Sequence, residues 1–333
     1  VDKLVDNTAL VDNAVDIACA GIVVADCVAR PVHRQPQPGL LEFVDEIGLY
    51  AGGSAASTGT GLVRLGARVA LIGRIGQDGF GDFLAAEARR VGCDATLLKR
   101  DATTGTSSSL VTVTPDGERA FLHAIGANAR LVPDDIPIEA LHARGCRVLH
   151  LAGYFALPGM QGNHGEPARD VFANARALGI TTSLDCVWDG AGRWGSLIDA
   201  VLEHTDLFCP SIHEARAIVA LPDRATPLEI AQGLFAKGVR EAVALKMGPD
   251  GSFVMNASGE HHRVPAPQVV AVDGTGAGDA FIAGFLAARL RGLDLPTCAQ
   301  IGNATGALCV TAMGATAGVT GWDAVAALSR TVG

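Results

Sequence analysis

The sequence predicts an α/β fold: a parallel sheet covered by helices on both faces, with a smaller β-sheet laid over it. Three observations carry this. From Val148 onward, short apolar strands alternate with stretches of helical length, the rhythm of βα units. Two β-rich apolar runs, 17–24 and 67–73, precede them and read as buried strands of the same sheet. Between these regions, 109–114 and 119–123 flank Pro115-Asp116-Gly117-Glu118, a turn signal joining two strands of mixed polarity, as in a half-exposed hairpin.

Taken in order, 17–24 reads as a central strand. Residues 28–44 carry three prolines and no helical period, so they read as extended. Gly52-Gly53 opens a helix over 54–65, followed by the strand 67–73, a helix over 80–91 and a short strand at 95–99. The extended stretch 25–50 and the hairpin then form the small sheet, a lid. Further strands are expected at Val148–Ala152, Thr181–Leu184, 207–209 and Ala242–Lys246, with helices at 166–178, 196–203, 213–219 and Pro227–Ala236. Near the end, 269–272 reads as a buried strand and 280–290 as a helix. Active sites of such sheets lie at the carboxyl ends of the strands, where Asp185, Pro210 and Asp273 fall.

The chain has 333 residues, 49% hydrophobic and 18% charged, enough for a substantial core. Aromatic residues make up only 5%, so that core is built from Ala, Val, Leu and Ile. A net charge of -9 argues against a nucleic-acid surface and against adhesion to acidic membranes. No run of 18 apolar residues exists to span a bilayer. The eight cysteines form no C-x-x-C pair and no zinc pattern, and read as reduced core residues of a cytoplasmic protein. Residues 1–16 are acidic and weakly patterned, unlike a signal peptide, and read as an extension before a unit spanning 17–333.

The most informative stretch is Asp273-Gly274-Thr275-Gly276-Ala277-Gly278-Asp279 and the helix behind it. A glycine-rich turn into a helix gathers free backbone N–H groups and the positive end of the helix dipole, so it can hold an anion. Asp279 stands at the mouth of that site. A carboxylate beside an anion hole is what phosphoryl transfer to a hydroxyl needs. The turn is neither a dinucleotide fingerprint nor a Walker A loop, since its spacing differs and no Gly-Lys-Ser/Thr occurs. As an ordinary packing turn it would carry two aspartates to no purpose. Lys246 by its type alone reads as a solvated surface lysine.

With Ala280-Phe281-x-x-Gly284-Phe285 behind it, this turn resembles the signature of the PfkB, or ribokinase, family of carbohydrate kinases. The resemblance extends from about Ile17 to the C-terminus and implies a ribokinase-like three-layer α/β/α domain. Its small β-sheet lid would comprise 25–50 and 106–127. Gly21-Ile22-Val23-Val24-Ala25-Asp26 resembles the family's opening strand, and Gly52-Gly53-Ser54-Ala55-Ala56-Ser57 its sugar-gripping turn. The stretch from Gly66-Ala67 to Gly81, and His123 to Leu131 with Asn128, are also similar. On the nucleotide side, Pro210-Ser211-x-x-Glu214, Lys246-x-Gly248-x-x-Gly251 and Asn303-Ala304-x-Gly306 match family positions. Asp185 with Trp188-Asp189 and Arg193-Trp194 is similar to one bacterial branch.

The resemblance implies the following roles. Asp279 is the general base, and Gly276, Ala277 and Gly278 form the anion hole. Asp26, Gly52, Gly53, Ser57 and Asn128 bind the sugar. Ser211, Glu214, Lys246, Gly248, Gly251, Thr275 and Asn303 bind ATP. Glu214 holds Mg2+ through water, and Asp273 is the residue that would face K+. The partners implied are a small-molecule sugar and a second subunit, a homodimer through the lid sheet. The chain departs from the family pattern at Ser57 and Ser211, each usually Asn, and at Gly274. It departs again at Gly153-Tyr154, where ribokinases carry Glu, and at Ala312 and Gly318. Arg30, Arg34 and Arg119 in the lid would supply a basic clamp if the sugar were already phosphorylated.

The acceptor stays open among ketoses such as fructose, 2-keto-3-deoxygluconate and nucleosides. Two other readings remain: a catalytically weak sugar or nucleotide sensor on the same fold, which Ser57 and Ser211 favour, and a nicotinamide-linked oxidoreductase. The late position and spacing of the glycine turn speak against the second.

Overall fold

The computed structural model describes residues 14–332, so the expected extension lies outside the described residues except for 14–16. Nine strands form the main sheet: β1 (Ile17–Gly21), β4 (Val69–Gly76), β5 (Leu98–Asp101), β8 (Val148–Ala152), β9 (Thr181–Leu184), β10 (Leu207–Phe208), β11 (Ala242–Lys246), β12 (Ser252–Asn256) and β13 (His261–Val264). Their order is β13-β12-β11-β10-β9-β8-β1-β4-β5. All neighbours from β11 to β5 are parallel, and β12 and β13 add an antiparallel edge. The chain winds one way from β1 to β4 and β5 and the other way from β8 to β11. The crevice beyond β1 and β8 is therefore the switch point where ligands bind in such sheets.

Alternate residues of β1 build two cores. Ile17 and Cys19 face α1 (Ser54–Arg64), α2 (Gly79–Val91), α9 (Ala277–Leu290), α10 (Leu295–Cys309) and α11 (Trp322–Ser329). Ala18 and Ala20 face α3 (Ile138–Ala143), α4 (Pro158–Gln161), α5 (Glu166–Ala177), α6 (Trp194–Leu202), α7 (Ile212–Ile218) and α8 (Pro227–Ala236). The period of two along a strand thus makes three layers, α/β/α. Helix α9 is buried nearly all round, because it runs between α1 and α10.

A separate sheet of β2 (Val24–Arg30), β3 (Glu46–Gly52), β6 (Ser108–Val113) and β7 (Arg119–Ala124) has the order β3-β2-β6-β7. Its hairpin, β6 and β7, pairs antiparallel as the turn signal predicts.

Three expectations need correction. The run 17–24 is two strands, not one. The chain leaves the main sheet at Gly21, where φ is +147° and a Cβ would lie 2.1 Å from Ala152 O, and enters the lid at Val24. The strand expected at 95–99 lies at Leu98–Asp101, after Asp94 closes an Asx turn on Thr96. The run 269–272 is not a strand: Val270 is 84% exposed and Val272 58%, in an extended segment that leads up to the glycine turn. Their apolarity reflects no burial in the sheet. The β12–β13 edge hairpin was not anticipated, because Asn256-Ala257-Ser258-Gly259 is a turn without a strong alternating pattern beside it.

Candidate active site

A cavity of about 260 Å³ separates the inner face of the lid from the carboxyl edge of the main sheet. Asp26, Gly52, Gly53, Ser57, Thr275, Gly276 and Asp279 all line it. Backbone geometry explains the two glycines. A Cβ on Gly52 would stand 2.2 Å from Asp26 Oδ2, and Gly53 has φ +88° with Ile22 O 2.5 Å from where its Cβ would be. Only glycine lets the end of β3 close on the Asp26 carboxylate and turn directly into α1.

Asp279 sits in the first turn of α9, whose N-cap, Gly276, is left-handed at φ +76°. A Cβ at Gly276 would lie 2.4 Å from Ala315 O, so no larger residue fits the turn. The first backbone bond back into the turn is Ala280 N–H to Gly276 O at 2.8 Å, and Ala277 N–H makes only a long 3.4 Å contact with Gly274 O. The start of α9, with Gly276 and Asp279, borders the cavity, where a helix N-terminus favours negative charge. Asp279 keeps some surface toward the cavity but is otherwise sunk in protein. Burial, with Asp185 and Glu214 nearby, pushes its carboxyl up to about 7, against the pull of Lys246 and a hydrogen bond from Ser54.

Beside that turn lies a buried ion pair. Lys246 Nζ donates to Asp185 Oδ1 at 2.7 Å, from the ends of β11 and β9. Lys246 is thus not a solvated surface lysine: its side chain is 14% exposed, and Asp185 and Glu214 hold its ammonium charged. A Cβ added at Gly278 would be 3.4 Å from Lys246 Nζ, which puts the cation against the start of α9. Burial and Glu214 push the Asp185 carboxyl up to about 6. Ser211 and Glu214 form a capping box on α7, with Ser211 N–H on Glu214 Oε2 at 2.8 Å and Glu214 N–H on Ser211 Oγ at 3.3 Å.

The expected sites at Asp273 and Asn128 are otherwise engaged. Asp273 accepts from Thr275 N–H at 2.8 Å and Gly314 N–H at 2.9 Å and is paired with Arg119 at 2.6 Å. Arg119 also bonds the Thr275 hydroxyl, tying the lid to the glycine turn. The charge expected to face a cation is already balanced by a guanidinium. Asn128 lies outside the cavity lining. Its amide spans both backbone groups of Val23, accepting at 3.1 Å and donating at 3.0 Å, and so replaces a strand partner where the chain crosses to the lid. The basic clamp is also spent: Arg30 pairs with Glu46 at 2.7 Å and Arg34 with Glu42 at 2.9 Å.

On the far side of Lys246, Gly248 and Gly251 make a tight turn with φ of +61° and +87°. Asn303 donates to Val264 O at 2.9 Å and Pro265 O at 3.2 Å, fastening the end of β13 to α10. Tyr154, at the position of the ribokinase glutamate, turns into the core and donates to Leu197 O at 2.6 Å. Sequence reasoning missed Ser54, Ser109 and His123. Ser54 follows the Gly-Gly pair directly and was legible as a helix-start hydroxyl. The other two meet Asp26 only through strand register.

An α/β/α sheet with a small second sheet over a cavity, a glycine turn into a helix and an adjacent carboxylate form an arrangement compatible with a small-molecule phosphotransferase. The model of the pfkB family of carbohydrate kinases matches residues 15–321, and the chain belongs to that family. It is a sugar kinase of the ribokinase fold. The aminoimidazole riboside kinase of Salmonella typhimurium is 30% identical over 300 residues, covering 79% of this chain and 83% of its own. A fructokinase of Klebsiella pneumoniae is 30% identical over 283 residues, covering 79% and 87%. A structure described as a ribokinase II from E. coli in complex with ATP and Mg2+ superposes with a TM-score of 0.80 at 26% identity, covering 95% of this chain and 99% of that one.

Proposed function

We propose that the protein transfers the γ-phosphoryl group of ATP to a hydroxyl of a small carbohydrate, with Asp279 as general base. The observation that carries this is the position of Asp279: in the first turn of α9, on the cavity, with its carboxyl near neutrality. A base of that basicity can take a hydroxyl proton at physiological pH, which an ordinary aspartate does poorly. The N–H groups of Gly276, Ala277 and Gly278 and the ammonium of Lys246 would meet the negative charge of the transferring group. Asp26 and the Gly52-Gly53 backbone would orient the acceptor, with Ser57 on the same wall. Ser211, Gly248, Gly251, Thr275 and Asn303 would shape the nucleotide side.

The residues present fit Mg2+ through Glu214, since that ion keeps much of its water and takes its other ligands from phosphate oxygens. Bound there, Mg2+ supplies charge neutralisation on the phosphates. They do not fit K+ at Asp273, whose carboxylate already holds Arg119 and two backbone N–H groups. We treat 17–333 as one kinase unit whose lid, 25–50 with 106–127, excludes water from the cavity. The eight unpaired cysteines support a reducing, cytoplasmic setting. The outer lid face, with Ile47 and Leu122 exposed, supports a homodimer.

The cavity also supports a second acceptor reading. Beside the polar groups, among them Asp26, Asp279, Tyr50 and Arg119, the cavity wall carries an apolar set, Val28, Val111, Phe121 and Met313. A nucleoside, with hydroxyls at one end and a flat ring at the other, suits that division. A free sugar would strand hydroxyls against the apolar part. ADP release measured across fructose, 2-keto-3-deoxygluconate, ribose, sugar phosphates and nucleosides tests both readings. Asp279→Asn should bind ATP normally by calorimetry while losing about 10²–10⁴ in kcat on the best acceptor. Unchanged turnover in that variant overturns the base assignment. A sensor would bind ATP and sugar and release no ADP with any acceptor.

A further inference from the structure

Asp26 does not stand alone on the lid. Strand register sets Tyr50, Asp26, Ser109 and His123 in one row across β3, β2, β6 and β7. Residues paired across neighbouring strands share a face, so this row faces the cavity that Tyr50 and Asp26 line. Ser109 is 7% exposed and stands directly opposite Asp26 in the β2–β6 register, where its hydroxyl favours the ionised Asp26 carboxylate. Ser109 Oγ also lies 3.1 Å from His123 Nδ1. A hydroxyl has one proton. If Ser109 gives it to Asp26, the His123 contact requires the proton on Nδ1, with Ser109 Oγ accepting. In that arrangement His123 N–H donates to Ser109 Oγ and the Ser109 hydroxyl is turned toward Asp26.

From this geometry we infer that Ser109 and His123 are positioning residues that hold Asp26 as an oriented carboxylate for the acceptor. The inference rests on the kinase reading of the site, in which Asp26 binds the acceptor hydroxyls. Burial raises the Asp26 carboxyl above its ordinary range, and Ser109, His123 and Arg119 pull it back. Protonated, the group would have to give a hydrogen bond where the acceptor hydroxyl needs one accepted. The groups facing it are Arg30 further along β2, Tyr50 from β3, His123 and Arg119 from β7, and Asp273 and Asp279 across the cavity. Arg119 is held by Asp273 at 2.6 Å, which leaves the Ser109–His123 pair as the support dedicated to Asp26.

The test follows Asp26 directly. Its carboxyl carbon, assigned with Asp26→Asn, is titrated by carbon NMR in the unaltered full chain and in Ser109→Ala, Ser109→Thr, His123→Ala and His123→Asn. The last keeps a donor near the Nδ1 position. We expect the titration to move to higher pH in both alanine variants and to return in the threonine and asparagine variants. In parallel, the acceptor KM should rise roughly tenfold in Ser109→Ala with kcat and the ATP KM nearly unchanged. The acid limb of acceptor kcat/KM should move up with the titration. An Asp26 titration that stays put in both alanine variants, or a loss of kcat equal to the rise in KM, overturns the inference. Normal NMR behaviour with no acceptor turned over by any variant, including the unaltered chain, overturns the kinase reading and leaves the support of Asp26 standing.

Discussion

At Asp279, the proposed role as general base and stability pull against each other. Its carboxyl is raised to about 7 from an ordinary value of 3.8, chiefly by burial and then by Asp185. A raised carboxyl means that the folded state disfavours the ionised form. Stability is lost as pH climbs from about 4 to about 7 and is level above that. Asp279→Asn should therefore melt higher than the unaltered protein at pH 8 and show little or no gain at pH 4, as scanning calorimetry at the two pH values would reveal. The same ionisation is required for proton acceptance, so kcat should fall as pH drops below about 7 and plateau above it. An equal melting difference at both pH values would remove the charge argument. The glycines of this turn were legible in the sequence because their spacing is unusual. The value of Asp279 was not, since it comes from Asp185, Glu214 and Lys246, residues 33–94 positions away that meet it only in the fold.

Among the elements, the small sheet is the one proposed to act as a lid over the cavity. It follows the main sheet at Gly21, passes into α1 at the Gly52-Gly53 turn, and is tied to the loop before α9 through Arg119. That ion pair spans the cavity from β7 to the loop before α9. Arg119→Ala should favour the open lid, raise the acceptor KM about tenfold and increase ADP release without phosphorylated product. Simultaneous measurement of ADP and product checks this, and tight coupling of the two in the variant would count against the latch. The hairpin was readable from its turn residues, and β8, β9 and β11 from their apolar runs, with bounds matching the expectation. The first strand was read too long. Continuous apolarity cannot mark where a chain passes from one buried sheet to another, and at Gly21 a backbone contact with Ala152 O decides it. The run 269–272 failed for the opposite reason: apolar residues at a site's rim look like core until the rim is seen.

For the whole molecule, the outer face of the small sheet is the surface that calls for a partner. The inner face meets the cavity, while Ile47 (66% exposed), Leu49, Leu110 and Leu122 (72%) stand on the other. A monomer seldom leaves such a sheet face bare, and the proposed homodimer rests on that. Ile47→Glu combined with Leu122→Glu should give a monomer by sedimentation equilibrium, with retained ATP affinity. A monomeric unaltered protein would end the proposal. Among the described residues no helix is long and apolar enough to cross a membrane.

Two kinds of information separate cleanly here. Local chemistry is written in the sequence, because it depends on neighbours along the chain: the glycine turn before a helix, the alternation of strands and helices, the Gly-Gly pair, the hairpin turn. From these the family, the layered fold and Asp279 could be named. Only the tertiary structure decided the occupants of each charge. It gave Arg119 to Asp273, Lys246 to Asp185, Asn128 to the Val23 backbone and the Ser109–His123 pair to Asp26. Such pairings depend on strand register and close approach across long stretches of chain, and their electrostatic energies are set by those distances and by how far water is excluded.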